Sequence, residues 1–154
     1  MPFLQRCAML DALLSLFVEI SQMDYVAAGI ADSHILVDFD HSKLYLCSVD
    51  DCMPMPALNV RGRLPGSPYY LAPEAYRAGA DLGEPLTVYA MGALAMALIG
   101  DRHTLSYSSW EASQLLFKLT LSALQEDEKK RPATAESFLA AWRDGIRALP
   151  FNRK

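Results

Sequence analysis

The fold is decided by one short stretch near the middle of the chain, which reads Gly66-Ser67-Pro68-Tyr69-Tyr70-Leu71-Ala72-Pro73-Glu74. Before it, residues 50–66 contain Pro54, Pro56, Pro65 and two glycines without any hydrophobic period, which predicts an irregular loop. Loops of this length are uncommon in compact domains and often carry function. After it, a short helix is predicted over residues 73–78. The stretch therefore separates a loop from a helical half of the chain.

The helical half is organised around one strongly apolar helix, predicted over residues 87–99. Its apolar residues lie on nearly every side, which is typical of a helix buried at the centre of a domain. Gly100 is expected to end this helix as its C′ residue. Residues 110–124 predict one or two further helices, and Thr134 is expected to cap a last helix that runs to about Leu149.

The N-terminal half begins with a predicted helix over residues 4–23. One face of it is marked at three- and four-residue steps by Leu10, Leu13, Leu14, Phe17, Val18 and Ser21. Two short apolar runs follow, residues 35–37 and 44–47, joined by a polar connection that predicts a β-hairpin. The expected fold class is therefore mainly α with a small β-hairpin.

The composition of the chain limits the classes of protein to which it can belong. The chain has 154 residues, of which 52% are hydrophobic and 21% charged, with a formal net charge of -4. These values predict one folded domain and argue against a disordered chain. The mild acidity argues against nucleic acid or an anionic membrane as the partner. The most apolar stretch, residues 88–99, is far shorter than the roughly 20 residues of a membrane span. Three cysteines imply no disulfide framework, and we expect a cytoplasmic protein.

Three motifs carry a resemblance to the protein-kinase family. Residues 66–74 resemble the end of a kinase activation segment, Gly-Thr/Ser-Pro-x-Tyr-Met-Ala-Pro-Glu. The stretch Thr87-Val88-Tyr89-Ala90-Met91-Gly92-Ala93-Leu94 is similar to the Asp-Val-Tyr-Ser-Leu-Gly-x-x-Leu opening of the kinase central helix. Lys130-Arg131-Pro132 resembles the kinase Arg-Pro-Ser/Thr element. In that family the glutamate of Ala-Pro-Glu pairs with this arginine, so the resemblance implies a pair between Glu74 and Arg131.

The resemblance covers essentially the whole chain, residues 1–154, as a single kinase-like C-terminal lobe. On this basis the first helix, residues 4–23, corresponds to the helix that precedes the kinase catalytic loop. Residues 26–48 correspond to the catalytic loop and its β-hairpin. Residues 49–74 correspond to the activation segment, in which Gly66, Ser67, Pro68 and Tyr69 precede the structural motif of Ala72, Pro73 and Glu74. Residues 75–149 form the helical remainder.

The catalytic positions of the family hold unsuitable residues. Phosphoryl transfer in kinases requires a catalytic-loop Asp, an Asn that helps to hold Mg²⁺, and the Mg²⁺-binding Asp of Asp-Phe-Gly. When the two strands are used for alignment, these positions hold Gly29, His34 and Ser48. The possible substitutes are Asp32 and Asp50, displaced by two or three residues. The resemblance implies no confident catalytic, cofactor-binding or metal site.

A second alignment remains open. Asp38-Phe39-Asp40 looks more like Asp-Phe-Gly, but it follows the first strand and leaves residues 44–47 unexplained. It would also move the catalytic aspartate back into the first helix, near Asp24. We therefore favour the alignment that places Ser48 at the Asp-Phe-Gly position.

Elements that support catalysis in the family are also missing. Thr87 stands where kinases carry an Asp that accepts hydrogen bonds from the catalytic-loop backbone, so we expect that support to be lost. The chain also has no Gly-rich loop and no strand Lys. These belong to the kinase N-terminal lobe, which we expect to be absent, so the ATP phosphates would be poorly held.

The resemblance implies a truncated, inactive Ser/Thr protein-kinase-like protein that acts as a protein-binding or regulatory module. The expected contact surface is the one that faces the N-terminal lobe in kinases, and the partner is another protein or a second copy of the chain. The alternative is an active Ser/Thr kinase using ATP and Mg²⁺, completed by a separate N-terminal lobe or by displaced acidic residues. A third interpretation is a helical protein unrelated to kinases.

Overall fold

The computed structural model describes residues 1–150. The last four residues of the predicted domain, 151–154, lie outside the described residues. Four α-helices occupy the described range: α1 (Phe3–Gln22), α2 (Glu84–Ile99), α3 (Gln114–Ala123) and α4 (Ala135–Arg147). Six short strands form antiparallel pairs: β1 (Tyr25–Ala27) with β4 (Cys52–Pro54), β2 (Ile35–Asp38) with β3 (Lys43–Leu46), and β5 (Ala57–Leu58) with β6 (Asp81–Leu82). The predicted class, mainly α with a small β-hairpin, is confirmed.

Helix α1 buries the face that its hydrophobic spacing predicts. All six residues of that face are buried, and α1 contacts α2, α4 and β1. The helix ends at Gln22, and Asp24 then adopts a left-handed conformation with a φ of 59°. Asp and Asn tolerate this region better than most residues because their short polar side chains can bond locally. The chain thereby turns directly from α1 into β1.

Helix α2 lies at the centre of the core, as its apolar composition predicts. It contacts each of the other three helices. It begins at Glu84, three residues before the predicted start, because Pro85 is accommodated in the first helical turn, where its missing N–H costs nothing. No helix in residues 1–150 is both long enough and apolar enough to cross a lipid bilayer.

Glycines set the distance between α2 and its neighbours. A Cβ atom on Gly92 would lie 2.7 Å from the Cβ of Ala123 on α3. Gly100 ends α2, but its φ of -137° is not the left-handed conformation typical of a C′ glycine, so that prediction is wrong. Glycine is required there for a different reason, since a Cβ atom would lie 2.9 Å from the indole ring of Trp110.

Helix α4 is capped as predicted. The Thr134 hydroxyl accepts a hydrogen bond from the backbone N–H of Ser137 at 3.0 Å. The helix ends at Arg147, two residues before the predicted end. Its inner face buries Phe138, Leu139 and Trp142 against the main core, with Ile146 half-buried beside them.

The segment predicted as an irregular loop, residues 50–66, contains the two strands β4 and β5. That prediction is wrong because both strands are very short and pair with distant segments, β4 with β1 and β5 with β6. A strand of two or three residues shows no alternation of its own, so its existence depends on a partner elsewhere in the chain. These pairings attach the segment to the start of α2 and to the end of α1.

Candidate functional site

A buried ion pair joins the Ala-Pro-Glu segment to the loop that precedes α4. The two terminal nitrogens of Arg131 donate to the two carboxylate oxygens of Glu74, at 2.6 Å and 2.9 Å. The Arg131 and Glu74 side chains are 0% and 2% exposed. The remaining donors of the guanidinium are satisfied by the carbonyl oxygens of Pro85, Gln125 and Glu126. The structure thus brings together the two residues that the resemblance expects to pair.

Gly29, which the resemblance aligns with the kinase catalytic Asp, lies where three segments meet. Its φ of 79° is left-handed, and a Cβ atom on it would lie 2.9 Å from the carbonyl oxygen of Pro65 and 3.1 Å from the Cβ of Asp51. A Cβ atom on Gly66 would in turn lie 3.2 Å from the Cα of Gly29. Since backbone atoms cannot yield as a side-chain tip can, this position admits no carboxylate side chain without rearrangement.

His34 and its neighbours form a short 3-10 turn, Asp32–His34, immediately before β2. The Nδ1 atom of His34 accepts a hydrogen bond from the backbone N–H of Ala31 at 3.1 Å. This bond needs an unprotonated Nδ1, so the ring is engaged within its own turn. The Asp32 carboxylate accepts from the backbone N–H of Ser33 at 2.9 Å.

Ser48 and Asp50 close a local turn after β3. The Ser48 hydroxyl donates to the Asp50 carboxylate at 2.9 Å and accepts from the Asp50 backbone N–H at 3.2 Å. Asp50 and Asp51 line a cavity of about 260 Å³ with residues of the segment before Gly66, among them Arg61, Leu64 and Pro65.

The two proposed substitute acids do not share a site. Asp32 lines a different cavity from the one lined by Asp50. Within residues 1–150, no three or more His, Cys, Asp and Glu side chains are grouped so that they could hold a metal ion.

The alternative Asp-Phe-Gly stretch lies in and beside the turn of the β2–β3 hairpin. The Asp38 carboxylate accepts from the backbone N–H of His41 at 3.0 Å and contacts the His41 Nδ1 atom at 2.8 Å. These hydrogen bonds lower the pKa of Asp38 below its usual value. Asp38 is therefore engaged within the hairpin itself, and Phe39 and Asp40 occupy exposed positions of the turn.

Thr87, expected to have lost the supporting role of the kinase Asp, accepts a backbone hydrogen bond. Its hydroxyl oxygen accepts from the N–H of Ala27, the last residue of β1, at 3.0 Å, and both residues are 0% exposed. The expectation of a lost contact is wrong, because a hydroxyl on the first turns of α2 reaches the backbone of β1 directly.

Asn59 organises the segment before Gly66 and was not identified from the sequence. It is fully buried, and its side-chain oxygen accepts from the backbone N–H groups of Arg61 and Gly62 at 3.2 Å and 3.1 Å. Its side-chain amide donates to the carbonyl oxygens of Gly62 and Glu74. The signal that indicates it is an Asn in a stretch rich in Pro and Gly, because Asn side chains often accept a bond from the backbone N–H two residues on, as Asn59 does from Arg61.

The other residues that the resemblance assigns to the activation segment are half-buried or exposed. The Gly66 carbonyl oxygen accepts from the Arg63 guanidinium at 3.1 Å, and the Ser67 carbonyl oxygen accepts from the Tyr70 N–H at 3.0 Å. Pro68 and Tyr69 are exposed, and the Tyr69 ring makes an edge contact with a histidine ring, with centroids 4.4 Å apart.

The β2–β3 hairpin has one apolar face outside the core. Leu36 and Tyr45 are directly opposite each other across the two strands and are 63% and 51% exposed. Phe39, in the hairpin turn, is 66% exposed. We refer to Leu36, Tyr45 and Phe39 as the hairpin patch. The alternate residues, Ile35, Leu44 and Leu46, pack against the core.

Comparison of the sequence with protein-family models gave no match, and a search of curated proteins found none either.

Proposed function

We propose that this chain is a kinase-like C-terminal lobe that binds another protein or a second copy of itself and does not transfer phosphate. The buried pair of Glu74 with Arg131 is the observation that carries the proposal. It links two motifs that are 57 residues apart in sequence, and it is the pair that the kinase resemblance implies. The guanidinium has a full set of partners, as a buried charge requires.

Lack of phosphoryl transfer is supported by the three positions that align with catalytic residues. Gly29 has no space for a side chain, the Nδ1 atom of His34 is occupied within its own turn, and Ser48 closes a turn with Asp50. Phosphoryl transfer depends mainly on positioned charges and metal ions, so these replacements remove the groups that supply most of the rate.

A binding role is supported by the hairpin patch. Single exposed apolar residues are normal on protein surfaces, but here an exposed cross-strand pair is accompanied by an exposed aromatic residue in the same hairpin. In the kinase family this hairpin follows the catalytic loop, on the side that faces the N-terminal lobe. The hairpin patch is therefore the proposed contact surface.

The contact surface is tested by sedimentation equilibrium and by a photo-crosslinking amino acid at position 45. We expect a mass that rises with concentration, or a crosslinked partner, and loss of either in the Leu36→Ser/Tyr45→Ser double variant. Leu115→Ser is the matched control, since Leu115 is equally exposed on α3. A monomer at all concentrations that also yields no crosslink would contradict the binding role.

The proposed lack of phosphoryl transfer is tested first at the level of nucleotide binding, by calorimetry with millimolar ATP, with and without Mg²⁺. We expect no heat of binding above dilution. Binding that depends on Mg²⁺ would favour the second candidate function, a Ser/Thr kinase completed by a separate N-terminal lobe.

One observation favours that second candidate. Asp50 and Asp51 line the same cavity, and the Asp51 carboxylate lies beside Gly29, so two acids occupy the region of the missing catalytic groups. Transfer of labelled phosphate from ATP, lost in Asp50→Asn and retained in Asp40→Asn in the hairpin turn, would establish it. Absence of transfer in the presence of Mg²⁺ or Mn²⁺ and candidate partner chains would exclude it.

A further inference from the structure

A second cavity lies between the inner face of the hairpin and the C-terminal half of α2. Its volume is about 250 Å³. Its walls are apolar and are formed by Ile35, Val37, Leu44, Leu94, Ala97 and Leu98. An enclosed apolar cavity of about 150 Å³ can bind benzene, and this cavity has a larger volume but is partly open to solvent. This cavity therefore has space for one flat ring system, and its walls offer such a ring only dispersion contacts.

The polar end of this cavity is formed by Asp32 and Tyr70. Burial, followed by the charge and hydrogen bond of Asp32, raises the pKa of Tyr70 to about 12, so its hydroxyl remains a donor at neutral pH. Asp32 is exposed and lines the cavity, so a ligand in the cavity can reach its carboxylate.

The Asp32 carboxylate is not neutralised by the protein. It takes part in none of the ion pairs formed within residues 1–150. The Arg102 guanidinium acts electrostatically on Tyr70, but its N–H groups are donated to the carbonyl oxygen of Tyr69 and the hydroxyl of Tyr89. The Asp32 carboxylate accepts hydrogen bonds from the Ser33 N–H and the Tyr70 hydroxyl but has no cationic partner within residues 1–150. An apolar cavity lined by such a carboxylate favours a ligand that is apolar at one end and cationic at the other.

We infer that this cavity binds a small arylalkylamine, with its ring between the hairpin and α2 and its ammonium group at the Asp32 carboxylate. Ring burial supplies the affinity, and the carboxylate supplies the preference for a cation over a neutral molecule or an anion. The inference does not depend on the kinase-like function, because none of Gly29, Ser48 and Asp50 lines this cavity and Asp32 acts here only as a binding charge.

Three probes with the same ring and different charge test the inference: tryptamine, indole and indole-3-propionate. Binding to the full chain is measured by calorimetry and by amide chemical-shift changes in NMR. We expect tryptamine to bind roughly tenfold more tightly than indole, as for a hydrogen bond to a charged group, and indole-3-propionate to bind more weakly than indole. Equal affinities for all three probes, or no binding of tryptamine at millimolar concentration, would overturn the inference.

Two variants separate the roles of the two ends of the cavity. In Asp32→Asn, tryptamine should bind only as well as indole, while the affinity for indole stays unchanged. In Ala97→Leu, the added side chain fills the cavity, and all three probes should lose affinity. Asp40→Asn, an exposed acid in the hairpin turn, is the control and should retain the preference for tryptamine. A preference that survives Asp32→Asn, or binding that survives Ala97→Leu in a folded variant, would show that the probes bind elsewhere.

Discussion

Arg131 holds both carboxylate oxygens of Glu74 in the protein interior, at 2.6 Å and 2.9 Å, and neither side chain reaches solvent appreciably. Such a pair contributes little net stability while it is intact, because the desolvation of both charges offsets their attraction. Loss of one partner, by contrast, lowers the free energy of unfolding strongly, since the other charge then stays buried without a counter-charge.

Glu74→Gln should therefore destabilise the protein strongly. The change keeps the shape of the side chain but leaves the Arg131 charge unpaired, with an expected loss of about 3–5 kcal/mol in the free energy of unfolding. Urea denaturation measures it. Asp144→Asn removes an ion pair in which both side chains are 74% exposed and should change stability by less than about 1 kcal/mol. Equal effects of the two changes would show that the buried pair is not critical to the fold.

Thr87→Val tests the contact between α2 and β1. The substitution preserves the volume of the side chain and leaves the buried N–H of Ala27 without an acceptor, which should cost about 1–3 kcal/mol. Thr120→Val is the matched control, because the Thr120 hydroxyl is buried on α3 and has no hydrogen-bond partner within residues 1–150. Thermal and urea unfolding should show a loss for Thr87→Val and none, or a gain, for Thr120→Val. The opposite order would argue against the hydrogen bond.

Gly92→Ala tests the close approach of α2 and α3. Alanine is normally better than glycine in a helix by roughly 0.5–1 kcal/mol, but the new Cβ would lie 2.7 Å from the Cβ of Ala123. We expect a net loss of about 1–3 kcal/mol from the overpacking. The added change Ala123→Gly removes the opposing methyl group and should recover part of the loss in a double-mutant cycle. If the two changes instead alter the free energy of unfolding additively, the methyl groups at positions 92 and 123 do not collide, and the expected overpacking between α2 and α3 is absent.

The three thiols should react in the order of their exposure and charge environment. Cys47 is exposed and should be alkylated first. Burial and then the Asp51 charge raise the pKa of Cys52, which slows its reaction because the thiolate is the nucleophile. Burial raises the pKa of Cys7 to about 11, so Cys7 should react only after unfolding. The order of labelling is measured by mass spectrometry after timed iodoacetamide treatment at pH 8, with and without urea. Rapid labelling of Cys7 in the native protein would contradict its position in the core.

Features encoded within one helical turn can be predicted from the sequence. The buried face of α1 follows from the spacing of its apolar residues, since positions three and four apart share one side of a helix. The burial of α2 follows from its apolar residues on all sides, and the cap at Thr134 follows from a hydroxyl placed before a new apolar period. The two motifs from which the pairing of Glu74 with Arg131 is predicted are also local in the sequence.

Contacts between distant segments were decided only by the tertiary structure. The sequence does not show that β4 forms inside a Pro-rich segment, that Thr87 bonds Ala27, or that Gly29 lies against Asp51. The cavity between the hairpin and α2 likewise exists only because the fold brings residues of both elements to the same place. The physical reason is the separation in sequence of the residues involved. Helical periods and caps depend on neighbours a few residues away. The contacts described above depend on how closely segments tens of residues apart approach each other in space, and no local sequence pattern determines that distance.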